Sequence, residues 1–226
     1  MICDICGGDQ FVLQSVLWDR LIDEWGLNED EVSYINKQQG LCCSACGANL
    51  RSRVLARAIM EAVNFNGNFA DFVVHTRYEE LRVLEINEAG TLSRFLSQMP
   101  GHQLVEYPEY DMTNMNIPSE SWDIVVHSDT LEHVADPLQG LRECRRVLRE
   151  GGSCIFTVPI IVDRLSRSRE GLPDSFHGNE QETDSGLLVR TEFGSDVWLL
   201  AANAGFRKVS LSHLDFPAGI AIEMLK

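Results

Sequence analysis

The sequence contains no apolar run that approaches the roughly 20 residues needed to span a bilayer. Its first residues, Met1–Cys6, provide neither the basic start nor the apolar core of a secretion signal, so we expect a cytoplasmic protein that is not exported. Basic residues are also scarce, with 19 Lys and Arg against 34 Asp and Glu, a formal net charge of -15. This excess of negative charge opposes attraction to phosphates or anionic lipid, and it argues against nucleic acid and membrane partners.

What the sequence does contain is enough apolar material for a folded core. Of its 226 residues, 44% are hydrophobic, which is ordinary for a globular protein. A chain of this length can hold one domain of about 150 residues together with a smaller module. The cysteines are unevenly placed, and five of the seven lie in the first 46 residues. We therefore predict a small N-terminal module over 1–70 and a larger α/β domain over 71–226.

The N-terminal cysteines form two matching pairs, each with two residues between the cysteines and a glycine after them. The pairs are Cys3 with Cys6, and Cys43 with Cys46. Each such turn directs two thiolates at one point, and two turns together provide a tetrahedral four-cysteine site of the kind that binds structural zinc. Cys42 is an alternative to Cys43, but the two-residue spacing favours Cys43. Reduced free thiols or a redox pair are the other interpretations.

Between the two cysteine pairs lie 36 residues, more than a compact zinc ribbon needs, so inserted helices are expected. Asn28 and Glu31 have the spacing of a capping box that opens one of them, through about Lys37. After the second pair, Arg51 and Arg53 precede another helical pattern. They are candidates for binding an anionic substrate or the carboxylate of a cofactor, and surface charges at a helix start are the alternative.

The stretch from Asp123 to Pro159 predicts a strand, a polar loop, a helix and a second strand. Asp136-Pro137 gives an N-cap with proline at the first helical position, and Gly151-Gly152 is the predicted end of that helix. A β-α-β unit of this kind is parallel and right-handed. Polar groups beyond the carboxyl end of its first strand mark the place where open α/β sheets bind ligands.

This region resembles class I S-adenosylmethionine-dependent methyltransferases. The likeness rests on residues 118–125, on 129–137 with its Leu131-Glu-His-Val segment, and on 141–152. A weaker likeness extends from about Leu81 to the C-terminus. The resemblance implies an α/β fold with a doubly wound, mostly parallel Rossmann-like sheet and an antiparallel last strand. It also implies S-adenosylmethionine as cofactor, beside the structural Zn2+ predicted from the cysteines.

The first predicted strand, Leu81–Ile86, has the acidic residue Glu85 near its end. In this family such a residue precedes a glycine-rich turn that meets the methionine end of the cofactor. Here Asn87, Ala89 and Thr91 replace the usual glycines, and only Gly90 remains, shifted by one position. Asparagine tolerates unusual backbone angles and alanine is small, so a tight turn remains feasible. A plain strand-to-helix turn without a ligand is the alternative.

The resemblance assigns further cofactor contacts to residues beyond the second and fourth strands of the family fold. Glu106 would accept hydrogen bonds from the ribose hydroxyls, Asp111 with Met112 would contact the adenine, and Ser128 would lie beside the methyl group. Only three residues separate Tyr107 from Asp111, which leaves no room for the usual helix and third strand. Asp111 followed by Thr113 is also a simple turn former.

Three histidines, His127, His133 and His177, are candidates for removing a proton from the methyl acceptor. His133 follows the fourth strand, where it could instead fix the loop or cap the next helix. His177 lies in a polar insertion over Ile160–Val189, which in this family often covers the acceptor. A mobile loop with one histidine and no catalytic role is the alternative.

Three functions fit these patterns. The preferred one is methyl transfer to a small-molecule or carrier-bound acceptor. The second is a non-catalytic binding module, a methyltransferase-like sheet with a degenerate cofactor turn and a zinc element that recruits a partner. The third is a different nucleotide-using α/β enzyme. No pattern in the sequence defines the acceptor or the oligomeric state.

Overall fold

The computed structural model describes residues 1–176 and 185–226. Its first part contains two short strands and four helices: β1 (Phe11–Leu13), α1 (Asp19–Trp25), α2 (Glu29–Gly40), β2 (Leu41–Cys43), α3 (Leu50–Ala62) and α4 (Phe69–Val73). β1 and β2 pair antiparallel. The expected helices between the two cysteine pairs are therefore present, and the hairpin returns the chain from the first pair to the second.

The capping box at the start of α2 is confirmed. The Asn28 side chain accepts a hydrogen bond from the Glu31 amide at 2.9 Å, and the Glu31 carboxylate accepts one from the Asn28 amide at 2.9 Å. The two bonds satisfy amides that the first turn of a helix leaves without partners. The helix continues to Gly40, three residues beyond the predicted end at Lys37.

The second part of the chain forms a six-stranded sheet with helices on both faces. Its elements are β3 (Val83–Ile86), α5 (Ser93–Leu96), β4 (His102–Val105), β5 (Trp122–Ser128), α6 (Pro137–Val147), β6 (Leu148–Thr157), β7 (Ile160–Ile161), β8 (Arg167–Ser168), β9 (Thr191–Gly194), α7 (Trp198–Asn203), β10 (Lys208–Leu214) and β11 (Gly219–Leu225). The strand order is β10-β11-β6-β5-β3-β4, and β7, β9 and β8 form a separate small sheet.

Strand directions match the predicted architecture. β4, β3, β5 and β6 are parallel neighbours, whereas β11 is antiparallel to both β6 and β10. The β-α-β unit of β5, α6 and β6 is present as predicted. In the described part of the chain, residues 106–121 contain neither helix nor strand, so the shortened sheet edge beside β4 is confirmed.

Apolar side chains cover both faces of the sheet. On one face, α3 packs through Val54 and Ile59 in a cluster that includes Val83, Ile155 and the buried cysteines of the N-terminal module. On the other face, residues of α6 and α7 pack in a second cluster with Leu84 and other strand residues. The domain boundary at residue 70 stays a prediction, and one core cluster runs across it. No helix in residues 1–176 and 185–226 is long and apolar enough to cross a membrane.

Two local predictions were wrong. α6 ends at Val147, and Gly151 lies inside β6 with a φ of 77°, next to a register shift in the pairing of β5 with β6. Gly151 and Gly152 therefore lie at an irregularity of strand β6, and they do not end the helix. The broad apolar face of the helical pattern over 195–204 predicts that Trp198 lies in the core, but its side chain is 46% exposed at the start of α7.

His127, predicted as a candidate base, lies instead in the core, where it cannot reach an acceptor. Its side chain is fully buried, stacks on Phe156 with ring centroids 4.7 Å apart, and lies near the buried thiols of Cys144 and Cys154. Neither ring nitrogen has a hydrogen-bond partner among the described residues. Burial lowers the pKa of His127 to about 3, so the ring is neutral in the folded protein at neutral pH.

Replacement of His127 with phenylalanine should stabilise the protein, because it keeps the stacked ring and removes two unpaired buried nitrogens. We expect a gain of about 1 kcal/mol at pH 7. The gain should grow by roughly 2 kcal/mol at pH 5, since the unfolded histidine gains a proton below its ordinary pKa of 6.5 and the folded one does not. Urea unfolding of both proteins at the two pH values measures this. Equal or lower stability of the variant would contradict it.

Candidate functional site

The predicted site residues converge on the edge of the sheet where β3, β4 and β5 end. Three loops lie there: 87–91 after β3, 106–113 after β4, and 128–133 after β5. Parallel strands bring their carboxyl ends to the same edge, and this is where open α/β sheets bind ligands.

The buried side chain of Glu85 fixes the first loop through hydrogen bonds. Its buried carboxylate accepts hydrogen bonds from the Ala89 amide at 2.7 Å and the Ser93 hydroxyl at 3.1 Å. His102 Nε2 lies 2.7 Å from the same carboxylate. Glu85 therefore fixes the turn on which the cofactor prediction depends, and Ala89 is buried within that turn.

The altered turn keeps the backbone shape that a tight loop requires. Asn87 and Gly90 both have left-handed backbones, with φ of 53° and 57°. The Asn87 side chain also accepts a hydrogen bond from the Tyr107 amide at 3.0 Å, which links the first loop to the second. Asparagine and glycine are the residues that adopt this conformation at least cost.

Space and a buried polar atom lie beside this turn. A cavity of about 390 Å3 is bordered by Gly90 and Thr91, with Leu104 of β4 on its wall. The Thr91 hydroxyl is buried and has no hydrogen-bond partner within the described ranges. A buried polar atom of this kind is costly unless a ligand or water satisfies it.

The second loop exposes two of the predicted cofactor contacts. Glu106 and Asp111 are exposed, whereas Met112 is buried and packs beside Gly140 of α6. One Asp111 oxygen accepts hydrogen bonds from the Thr113 amide at 2.8 Å and hydroxyl at 2.7 Å. Asp111 therefore forms the turn that its sequence context predicted, and its second oxygen is not used in that turn.

The third loop contains an ion pair that the sequence did not indicate. Ser128 is anchored to Thr157 through their hydroxyls at 2.8 Å. The next residue, Asp129, has a φ of 48° and forms an ion pair with Arg51, whose guanidinium also donates to the Gln39 side chain at 2.9 Å. Burial raises the pKa of Asp129, and the positive charge of Arg51 opposes that rise. The Oδ1 atom of Asp129 is buried without a hydrogen-bond partner among the described residues.

Glu132 and His133 lie on the same loop and hold it against the insertion. His133 Nδ1 is 3.0 Å from the carbonyl oxygen of Leu188, and the Glu132 carbonyl accepts from the Arg190 amide at 2.8 Å. Burial lowers the pKa of His133 and raises that of the Glu132 carboxyl, which Asp129 raises further. The helix that follows is capped by Asp136 instead.

The insertion after β6 rests on the N-terminal helices. Arg164 donates to the carbonyl oxygens of Trp25 and Gly26, both at 2.8 Å, and pairs with Glu31 at 2.6 Å. The Trp25 indole donates to the Ser175 hydroxyl at 2.9 Å. His177 lies outside the described residues, so its predicted catalytic role stays a prediction.

Arg53 is placed away from this edge. It is 2% exposed, and its guanidinium donates to the Asp4 carboxylate at 2.8 Å and to the Ile2 carbonyl at 2.9 Å. Of the two arginines predicted to bind substrate, only Arg51 reaches the loops at the sheet edge. The burial of Arg53 comes from a contact with the first cysteine pair, 49 residues earlier, which sequence spacing does not reveal.

The four predicted metal ligands lie together. The Sγ atoms of Cys3 and Cys46 are 3.7 Å apart, as are those of Cys6 and Cys43, and all four lie within 4.8 Å of one another. A tetrahedral zinc site with Zn–S bonds of about 2.3 Å requires sulfur atoms about 3.8 Å apart, so the thiols fit this ion.

Backbone geometry explains why both cysteine pairs turn alike. Gly7 and Gly47 have φ of 76° and 72°, and their amides donate to the carbonyls of the first cysteine of each pair. The Gly8 amide faces Cys6 Sγ at 3.4 Å. Cys42 lies outside the cluster with its thiol 3.8 Å from the Gln39 carbonyl, so the geometry favours Cys43 as predicted.

Comparison with known proteins agrees with this architecture. The profile of the family described as "Methyltransferase domain" matches residues 43–156, half of the chain. The chain therefore belongs to this methyltransferase domain family. The match begins within the cysteine module and includes the loops after β3, β4 and β5.

The curated relatives and the solved structure described next are all named as S-adenosylmethionine-dependent methyltransferases. A Mycobacterium tuberculosis protein named probable S-adenosylmethionine-dependent methyltransferase is 28% identical over 146 residues, covering 64% of this chain and 51% of the relative. A similarly named protein of Mycolicibacterium smegmatis is 29% identical over 136 residues. The match covers 58% of this chain and 49% of the M. smegmatis protein. The chain thus spans about half the length of the curated relatives it matches. An S-adenosylmethionine-dependent methyltransferase structure from Thermotoga maritima has a TM-score of 0.39 and 18% identity, covering 76% of this chain and 98% of that chain.

Proposed function

We propose that the chain transfers a methyl group from S-adenosylmethionine to a small-molecule or carrier-bound acceptor. The observation that carries this proposal is a pair of buried oxygens without partners among the described residues, on the loops that follow the neighbouring strands β3 and β5: the Thr91 hydroxyl and Asp129 Oδ1. Both lie at the ligand-binding edge of a sheet whose chain belongs to the methyltransferase domain family.

The residues of the loops after β3 and β4 fit the methionine, ribose and adenine portions of the cofactor in turn. Left-handed Asn87 and Gly90 allow the backbone to approach the methionine portion. Glu106 is exposed at the end of β4, where its carboxylate can accept from the ribose hydroxyls. The second oxygen of Asp111 is the acceptor for the adenine amino group, while Met112 supports this loop from the core.

Bound S-adenosylmethionine would supply a methyl group on a positively charged sulfur. The chain itself contributes alignment of the acceptor and removal of its proton. Because a carbonyl oxygen only accepts, the bond to Leu188 places the proton of neutral His133 on Nδ1. Nε2, which lies 3.9 Å from Glu132 Oε1, is then the basic nitrogen of the ring, and we infer that it takes the proton of an acceptor hydroxyl or amine.

We also propose that the four cysteines bind one structural Zn2+. The 3.7 Å sulfur separations support this, and the set is closed, since four thiolates complete the coordination of the ion. The metal would therefore stabilise the module and take no part in the chemistry at the sheet edge.

Calorimetric titration of the full chain with S-adenosylmethionine and S-adenosylhomocysteine tests the proposed function. We expect one site that binds both forms. If neither form binds at millimolar concentration, the non-catalytic module with a degenerate turn becomes the better interpretation.

The ring of His133, the proposed base, should stay uncharged at pH values below 7. Since burial lowers the pKa of His133, its ring should titrate below the ordinary value of 6.5 and stay unprotonated down to that lower pH. NMR titration of 13C-labelled histidine rings measures this, and His133→Asn identifies the resonance. The variant keeps a donor for the Leu188 carbonyl but has no base. Titration at or above 6.5 would contradict the assignment.

A further inference from the structure

The second cysteine pair is joined directly to the start of α3. Three residues after Cys46, Asn49 caps this helix by accepting a hydrogen bond from the Ser52 amide at 2.9 Å. The position of Cys46 therefore fixes where the helix begins and in which directions its first side chains point.

The first turn of α3 contacts both loops of the sheet edge. Arg51 pairs with Asp129 after β5, with side chains 11% and 20% exposed. The Ser52 hydroxyl lies beside Gly90, where an added Cβ would be 3.3 Å away from it. One helical turn thus touches the loops that contain the two unpartnered oxygens.

A second connection leads from the cofactor turn back to the metal ligands. Arg94 of α5 donates to the carbonyl oxygen of Cys46. From the other side, Arg53 joins α3 to Asp4, which lies between the first two cysteines. The four-cysteine site is therefore tied to the loop after β3 and, through α3, to the loop after β5.

Asp129 needs such support, because its left-handed backbone is costly for a residue other than glycine. Its amide donates to the Thr157 carbonyl at 3.1 Å, and its carboxylate is held by Arg51. Loss of either the arginine or the correct start of α3 would release Asp129 from this conformation.

We propose that Arg51 is a positioning residue through which metal binding at the four cysteines and cofactor binding at the sheet edge are coupled. The proposal rests on the proposed function and on the zinc assignment. Coupling of two binding equilibria is reciprocal, so the cofactor product should strengthen zinc retention just as zinc strengthens its binding.

The experiment follows zinc transfer from the full zinc-loaded chain to a colorimetric chelator, with and without saturating S-adenosylhomocysteine. We expect the ligand to reduce the equilibrium fraction of zinc lost, corresponding to at least about fivefold tighter zinc binding. Arg51→Gln should keep one zinc per chain but remove this difference. Arg142→Gln, the same change on an exposed position of α6, should preserve it.

Two more variants keep the test decisive. Asp129→Asn breaks the same pair from the other side and should also remove the difference, whereas Arg51→Lys keeps a positive charge and should restore part of it. Binding of S-adenosylhomocysteine without any effect on zinc overturns this coupling alone. Absence of binding overturns it together with the proposed function, and absence of zinc overturns it together with the metal assignment.

Discussion

We expect that replacing Cys46 with serine will abolish the proposed zinc binding and lower the stability of the protein by at least about 4 kcal/mol. The reason is that a structural zinc site contributes roughly 10–16 kcal/mol of binding free energy that is available only to the folded module. The Cys46 thiol is one of four that lie within 4.8 Å of one another, and a serine hydroxyl is a poor substitute for a thiolate. At about 2–4 °C per kcal/mol for a chain of this size, the melting temperature should fall by roughly 8–16 °C.

Cys42→Ser is the matched control for this change. Cys42 is also a cysteine of the N-terminal module, but its thiol lies outside the cluster. We expect this variant to keep one zinc per chain, measured by atomic emission on the purified protein, and to melt like the unmodified chain. Full zinc content in the Cys46→Ser protein would contradict the proposed site. Loss of zinc from Cys42→Ser would show that Cys42, and not Cys43, is the ligand.

Features set by short stretches of sequence were the ones that could be predicted. Both cysteine pairs turn as expected because spacing and glycine position determine a turn locally. The capping box of Asn28 and Glu31 is equally local, since both hydrogen bonds lie within four residues. The β-α-β unit of β5, α6 and β6 followed from the Asp136 N-cap, the proline after it and two apolar runs.

Features that depend on distant contacts could not be predicted. Arg51 and Arg53 are two residues apart and look alike in sequence, yet Arg51 reaches Asp129 and Arg53 is buried against Asp4. The helical direction of α3 separates them by more than half a turn, and only the tertiary structure determines what each one meets. The same holds for His127, a polar residue in an apolar strand whose burial follows from its position between β6 and α6.

The altered turn after β3 shows how far a family pattern can change without loss of shape. Its left-handed positions are occupied by Asn87 and Gly90, so the turn no longer needs the usual glycines. The Glu85 carboxylate stabilises the turn by accepting hydrogen bonds from the Ala89 amide and the Ser93 hydroxyl. A sequence pattern records residue types, whereas the loop requires only backbone angles and satisfied amides.

Substitution of Glu106 by alanine should weaken S-adenosylhomocysteine binding by about 1–3 kcal/mol, which is roughly 5- to 150-fold in Kd. In the proposed site its carboxylate accepts from the ribose hydroxyls, and its removal leaves them without a protein partner. Glu106→Gln keeps one acceptor and should lose less. Glu150→Ala is the control, because Glu150 is also an exposed glutamate but lies at the opposite end of β6, away from the site.

Asp111 requires a more careful substitution, because one of its oxygens forms the turn to Thr113. Asp111→Asn can keep that oxygen and replaces the other with an amide that donates, so it should repel the adenine amino group while the turn stays intact. We expect a loss of affinity for S-adenosylhomocysteine like that of Glu106→Ala, with unchanged unfolding in urea. Calorimetry on these variants separates the two roles of Asp111. Unchanged affinity in both Glu106→Ala and Asp111→Asn would place the ligand elsewhere, since the loop after β4 would then make no contact with it.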